Sequence, residues 1–197
     1  MPNERLSTHM PLVFERWSIR AKSAINIDSF IKKRTPYKGS HLFIFQHGLG
    51  GDAKQFRLFR NIVKIAVPDC KMLSCSNNEG KTDKLDLATM GKNLADEVFD
   101  YLDALQEEDP SFKLARITFV CHSLGGLIVR SALPHLSMLK DKMHGFFSVS
   151  VPHLGTIKHH VQVNKIGMWF VKKVGRSNAL EQLGLTETSK MEDSKVF

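Results

Sequence analysis

Residues 116–129 have the sequence RITFVCHSLGGLIV, and the fold of the chain is predicted from this stretch. Ile117, Phe119 and Val120 are the β-branched and aromatic residues typical of a short strand that is covered on both faces. Ser123 follows in a tight turn, and the residues after it open a helix. A strand that reverses sharply into a helix brings the residues two before and two after the serine close together, so both must be small.

The residues around Ser123 meet this steric requirement. Gly125 is small, and Cys121 stands where glycine is usual, a departure that the turn can absorb. With His122 and Leu124 the sequence is close to G-x-S-x-G, the nucleophile elbow, which exposes a serine hydroxyl at a helix N-terminus that favours a developing anion. The alternative is a buried strand followed by an amphipathic helix with a solvated serine, and a second motif upstream favours the elbow.

Composition predicts one globular domain without a cofactor. The chain has 197 residues, 42% hydrophobic and 24% charged, with no apolar run of the ~20 residues that span a bilayer and no signal-peptide pattern at its start. Its three cysteines are too few for a disulfide framework, and Cys70 and Cys75 are too isolated for a zinc site. We therefore expect no metal, no cofactor and a cytoplasmic location.

The net charge of +8 bears on partners. Basic proteins are attracted to nucleic acids and to acidic lipid headgroups. Here the charge is scattered, without a dense arginine block or interleaved aromatic residues, so we expect no nucleic-acid partner. A solvated basic surface is the favoured interpretation, and peripheral contact with an anionic membrane stays open.

Strands and helices alternate along the chain. Strand patterns begin at His41, at Cys70, before Ser123 and at Gly145, and helical spacing covers residues 53–66 and about 86–106, with another helix after Ser123. This alternation predicts an α/β fold with a parallel, doubly wound sheet. We interpret residues 1–40 as a lead-in and residues 41–197 as the domain.

The carboxyl edge of such a sheet gathers the loops that follow the strands. That rule places residues 47–51, 76–80, Ser123 and 152–156 on one edge. It places Asp141 and His144 in the return to the fourth strand, on the opposite edge.

The glycine loop, residues 47–51 (HGLGG), follows the first strand. A tetrahedral oxyanion needs N–H donors that are fixed before the reaction. In hydrolases with a nucleophile elbow one donor is the residue after the serine, here Leu124, and the other comes from a loop after an earlier strand, here Leu49. The supporting residues of the loop are its remaining members: His47, Gly48, Gly50 and Gly51. The alternative is a glycine-rich turn that binds nothing.

Three ordered motifs carry a family resemblance: HGLGGDAKQFRLFRN from His47, CHSLGGLIVRSALPHL from Cys121, and VSVPHLGT from Val149. Over about residues 42–184 the chain resembles the putative serine esterase family of lipase-like eukaryotic α/β-hydrolases, closest to the branch called family with sequence similarity one-three-five. The resemblance implies an α/β-hydrolase fold and hydrolysis of carboxylic esters, but it does not imply a substrate. We expect lipid or other apolar acyl esters. The resemblance also implies a serine nucleophile, then an aspartate and a histidine in chain order.

The residues after the fourth strand do not supply the expected base and acid. His153 belongs to a PHLG turn that is structural in the family, and Asp193 has no histidine after it. His159 and His160 resemble solvated surface residues. We expect the missing strands, with the catalytic Asp and His, to lie beyond Phe197. The alternative to a serine hydrolase is a non-catalytic binding module or an inactive fragment.

Residues 162–174 combine apolar side chains with lysines. They fall where many lipases carry a lid, and tryptophan with lysine suits a membrane interface. The alternative, which we favour, is a helix packed against further strands.

The first prediction concerns activity. Without a histidine base a serine hydroxyl is a poor nucleophile, although an oxyanion hole alone leaves a residual rate. We expect the 197-residue chain to hydrolyse short p-nitrophenyl esters weakly or not at all. A chain extended through two further strands should be far more active, and an extended, folded but inert chain would favour the binding module.

Overall fold

The computed structural model of the chain describes residues 38–154. The chain divides into two units, Met1–Tyr37 and Lys38–Phe197, and the described residues all belong to the second. The predicted lead-in before residue 38 and the predictions made for residues 155–197 therefore lie outside the described residues.

Four strands and three α-helices alternate as the sequence predicts. The strands are β1 (Ser40–Gln46), β2 (Lys71–Ser74), β3 (Leu114–His122) and β4 (Met143–Val149). The helices are α1 (Arg57–Ala66), α2 (Leu87–Glu108) and α3 (Gly125–Ala132), with 3₁₀ segments at Ala53–Phe56 and Ser137–Lys142. No helix within residues 38–154 has the length and apolar character that a membrane span requires.

The four strands form one parallel sheet in the order β2-β1-β3-β4. From β1 the chain passes to β2 on one side, and from β2 it returns to β3 on the other side of β1. The carboxyl ends of β1 and β3 therefore flank a topological switch point, where ligands bind in sheets of this kind. Gln46 pairs with Cys121, so the loop that begins at His47 leaves the sheet beside His122 and Ser123.

The core has two layers, one on each face of the sheet. Leu42 and Ile44 belong to the larger cluster, which includes the buried residues of α2 and α3. Phe43 and Phe45 alternate with them and belong to the smaller cluster with Phe56. Alternation along β1 is the ordinary consequence of strand geometry, and it shows that β1 is covered on both faces. In β3, Ile117 and Phe119 belong to the larger cluster and Val120 to the smaller one, which confirms the predicted coverage of that strand on both faces.

Helix α2 confirms its predicted periodicity. Leu87, Met90, Leu94 and Val98 are buried at intervals of three or four residues. The side chain of Asp86 accepts a hydrogen bond from Thr89 N–H at 2.8 Å and so caps the helix.

Helix α1 is less covered than its apolar spacing indicates. The spacing correctly predicts the helix, but Phe59 is 48% exposed and Ile62 54% exposed, whereas Phe56 of the preceding 3₁₀ turn is buried. One helix covers only part of a face of four strands. Val63 packs against the smaller core cluster, whereas Phe59 and Ile62 remain about half exposed.

Two strand boundaries also differ. The second strand is shorter than predicted, and the fourth begins at Met143 because its pairing with β3 starts opposite Ile117. His144, which was expected in the return segment, therefore lies within β4. Asp141 lies in the 3₁₀ segment before β4, as the edge rule predicts.

At the amino edge His41 forms a buried polar contact. Its Nε2 atom is 2.8 Å from Thr118 Oγ1, its ring stacks on Phe43 and it meets the edge of the His144 ring at 5.4 Å. Burial, with the nearby His144 and Arg116, lowers the pKa of His41 to about 4. The folded protein thus holds a neutral imidazole at pH values where an unfolded chain protonates it.

The second prediction follows from this pKa. As pH falls from 6.5 to about 4, the unfolded state binds a proton that the folded state excludes, so stability is lost over that window. We expect the loss from this group to be on the order of 1–3 kcal/mol. Urea unfolding midpoints across the window should fall more steeply for the wild type than for His41→Gln. His135→Gln, at an exposed histidine, should behave as the wild type, and equal slopes for His41→Gln would contradict the assignment.

Candidate active site

The turn between β3 and α3 has the geometry of a nucleophile elbow. Ser123 has a positive φ of 53°, which is uncommon for a residue with a side chain. Its N–H donates to Val149 O at 2.9 Å, which ties the turn to the end of β4. Strain of this kind is found where the surrounding structure fixes a functional residue.

Close backbone contacts account for the glycines on either side of the site. A Cβ atom on Gly125 would lie 2.4 Å from Gln46 O, so the start of α3 rests directly on the end of β1. A Cβ atom on Gly48 would lie 2.9 Å from Ser123 Cβ. The glycine loop and the elbow are therefore in contact, as the sequence predicts.

Cys121 lies beneath the turn. It is fully buried, and its thiol donates to Phe147 O of the neighbouring strand at 3.3 Å. Burial raises the pKa of Cys121 to about 12, so the thiol stays protonated and is no rival nucleophile to Ser123.

The backbone N–H groups of the glycine loop and of Leu124 differ in whether they have a hydrogen-bond acceptor. Gly50 N–H donates to Thr82 Oγ1 at 2.9 Å, and Gly51 N–H donates to Gly48 O at 3.1 Å. By contrast, neither Leu49 nor Leu124 donates its N–H to another residue within 38–154.

Both histidines beside the elbow have other partners. His47 Nδ1 is 3.0 Å from Gly48 O, which accepts, so this nitrogen carries the proton and the ring supports the loop. The Gln55 side-chain amide lies 3.2 Å from His122 Nδ1 and bridges the elbow to the residues after the glycine loop. Neither ring is hydrogen-bonded to Ser123.

His153 lies in the loop after β4, on the predicted edge. Its N–H donates to Val151 O, and its carbonyl accepts from Arg130 at 2.8 Å. The ring stands 5.9 Å from that of Phe146. Among residues 38–154 no histidine is hydrogen-bonded to the Ser123 hydroxyl, and the other candidate bases, His159 and His160, lie outside that range with Asp193.

Three residues near the glycine loop make contacts that the sequence motifs do not predict. Gln55, Glu79 and Thr82 hold the glycine loop and the segment after it. Gln55 lies within the HGLGGDAKQFRLFRN motif and Glu79 within residues 76–80, but neither the motif nor the edge rule predicts these contacts. Helical spacing predicts a helix at Gln55 but not its partner. Over the described residues, no group of three or more His, Cys, Asp or Glu side chains could hold a metal ion.

A family model described as "Putative serine esterase (DUF676)" matches residues 36–196. The chain belongs to this family. Its structure is similar to a Bacillus licheniformis lipase in mature form, with 18% identity and a TM-score of 0.51, over 81% of this chain and 59% of the lipase. It is also similar to Aspergillus fumigatus lipase B, with 15% identity and a TM-score of 0.54, over 81% of this chain and 36% of that one.

These likenesses show the fold of the family member. The chain has the α/β-hydrolase fold predicted from its motifs, with a parallel sheet between flanking helices. It spans about three-fifths of the length of the first lipase and about a third of the second. The roles of Ser123, Leu49 and Leu124 stay predictions.

The third prediction concerns Cys121. We expect Cys121→Gly to be tolerated, whereas Cys121→Leu should lower the free energy of unfolding by about 1–3 kcal/mol, because a larger side chain overpacks a fully buried site. Thermal melts of both variants measure the effect. An unchanged melting temperature for the leucine variant would contradict a crowded position below the turn.

Proposed function

We propose that this member of the serine esterase family is a serine hydrolase that cleaves carboxylic esters. The observation that carries the proposal is the contact between the elbow and the glycine loop. It brings the Ser123 turn against the loop that carries the Leu49 N–H, and neither this N–H nor that of Leu124 has an acceptor within residues 38–154.

The chemistry begins with attack of Ser123 Oγ on the ester carbonyl. The carbonyl oxygen gains negative charge, which the N–H groups of Leu49 and Leu124 stabilise. The leaving alcohol departs as the acyl-enzyme forms, and water then releases the acid. Protein N–H groups fixed beforehand act most strongly here because they need no reorganisation during the reaction.

A base must take the Ser123 proton and return it to the leaving alcohol. We propose that a histidine outside residues 38–154 does so, oriented by a carboxylate that also lies outside this range. This part of the proposal agrees with the serine–aspartate–histidine order of the motif class. The rival candidate, a non-catalytic binding module, draws support from the absence of a histidine contact to Ser123 within the described residues.

Apolar acyl groups are the proposed substrate class. At the carboxyl edge Val149, whose carbonyl accepts from Ser123 N–H, is 46% exposed, Leu154 is 72% exposed and Leu49 is partly buried. These side chains offer an apolar surface near Ser123, which suits lipid or other hydrophobic esters.

Location and membrane contact are also proposals. All three cysteines are free and buried, which supports a reducing compartment such as the cytoplasm. The net charge of +8 supports peripheral contact with anionic lipid.

The fourth prediction tests the nucleophile. A fluorophosphonate probe should label the protein at Ser123, and Ser123→Ala should abolish labelling, because phosphonylation needs an activated serine. The probe is applied to the 197-residue chain and to a chain extended beyond Phe197. Ser148→Ala, at an exposed serine of β4, is the matched control and should label as the wild type.

The outcomes separate the two candidate functions. Labelling that depends on Ser123 supports the hydrolase. Labelling of the 197-residue chain itself would place the base within its own residues, and His153→Ala is then the first variant to compare. Two folded chains that both fail to label would favour the binding module.

A further inference from the structure

We propose that Thr82 and Glu79 are positioning residues for the oxyanion hole. Both lie in the clamp loop, residues 75–86, which joins β2 to α2. The inference rests on the proposed function, since it concerns the loop that carries the Leu49 N–H.

Two hydrogen bonds join the clamp loop to the residues after Leu49. Thr82, which is 1% exposed, accepts from Gly50 N–H at 2.9 Å. The carboxylate of Glu79 accepts from Ala53 N–H. The acceptors fix the segment at two points, three residues apart, immediately beyond the proposed donor.

Gly50 requires such a partner. Its φ is +63°, and a Cβ atom there would meet nothing within 4 Å. A glycine is therefore required here by the backbone conformation and not by a lack of space. Because glycine has access to many backbone conformations, it needs a partner that holds it in this one. The Thr82 hydroxyl selects one of them and thereby fixes the peptide plane that follows Leu49.

The clamp loop is itself anchored to α2. Asn78, which is 2% exposed, donates to Met90 O at 3.0 Å. Glu97 accepts from the N–H groups of Ser76 at 2.7 Å and Asn77 at 3.1 Å. A 22-residue helix in the core thus supports the glycine loop through these polar contacts.

This arrangement predicts an effect on reaction and little effect on substrate binding. An oxyanion donor acts chiefly in the transition state, so misplacing it lowers kcat and leaves KM nearly unchanged. Removing a donor outright costs about 100- to 1000-fold in kcat. Loosening one should cost less, and we expect roughly tenfold.

The fifth prediction compares three threonine variants in the protein that labels at Ser123. Thr82→Val keeps the shape and removes the acceptor, and it should lower kcat and the labelling rate roughly tenfold. Thr82→Ser keeps the hydroxyl and should restore both to within about twofold. Thr118→Val also removes a buried hydroxyl, one that contacts His41 and not the glycine loop. This variant should leave kcat and the labelling rate unchanged.

Amide hydrogen exchange at Gly50 supplies a readout without catalysis. Thr82→Val should speed this exchange, whereas Thr82→Ser and Thr118→Val should not. If Thr82→Val fails to fold, Glu79→Ala replaces it, because Glu79 is only partly buried, and exchange at Ala53 is measured.

The outcomes distinguish this inference from the proposed function. Normal labelling and normal Gly50 exchange in Thr82→Val overturn the inference alone. If neither the 197-residue chain nor the extended chain labels although both are folded, the proposed function is contradicted, and Gly50 exchange then decides whether Thr82 holds the loop. If Thr82→Val lowers kcat and the labelling rate but Thr82→Ser lowers them equally, the inference is also overturned.

Discussion

The contact between the start of α3 and the end of β1 governs the site. Gly125 lies so close to the carbonyls of Gln46 and His47 that a single methyl group would clash with both. Only a glycine lets the helix begin there, directly after the Ser123 turn. Because β1 and β3 are paired neighbours, this approach brings the elbow against the loop that follows β1.

The sheet beneath this contact consists of buried side chains. Ile44, Ile117 and Phe119 are at most 2% exposed, and Cys121 fills the position directly below the turn. Burial keeps this thiol neutral, so Cys121 places no charge beneath Ser123. Apart from the His41–Thr118 contact near the amino edge, the polar contacts described above lie at the carboxyl edge and join its loops.

That polar edge gives the site its rigidity. Gly50 and Ala53 donate to the loop after β2, while Gln55 contacts His122 across the elbow. The glycine loop is therefore held from both sides, and the N–H groups of Leu49 and Leu124 stay uncommitted within the described residues. Preorganised donors of this kind are what acyl transfer requires.

Local patterns were reliable where the physical cause is local. The three-to-four spacing predicted α2, and the crowding around a reversing strand predicted the turn at Ser123. Sequence patterns were less reliable for features that depend on packing against neighbouring elements. The start of β4 depends on its pairing with β3, which moved His144 into the strand, and the covered face of α1 depends on which elements pack beside it.

The sequence by itself determined the fold class, the order of the elements and the edge on which Ser123 and residues 47–51 meet. These follow from periodicity and from the steric needs of glycine, which act over a few residues. Only the tertiary structure decided which side chains hold the loop. Thr82 is 32 residues from Gly50, and Gln55 is 67 from His122, so their hydrogen bonds depend on strand register and loop conformation.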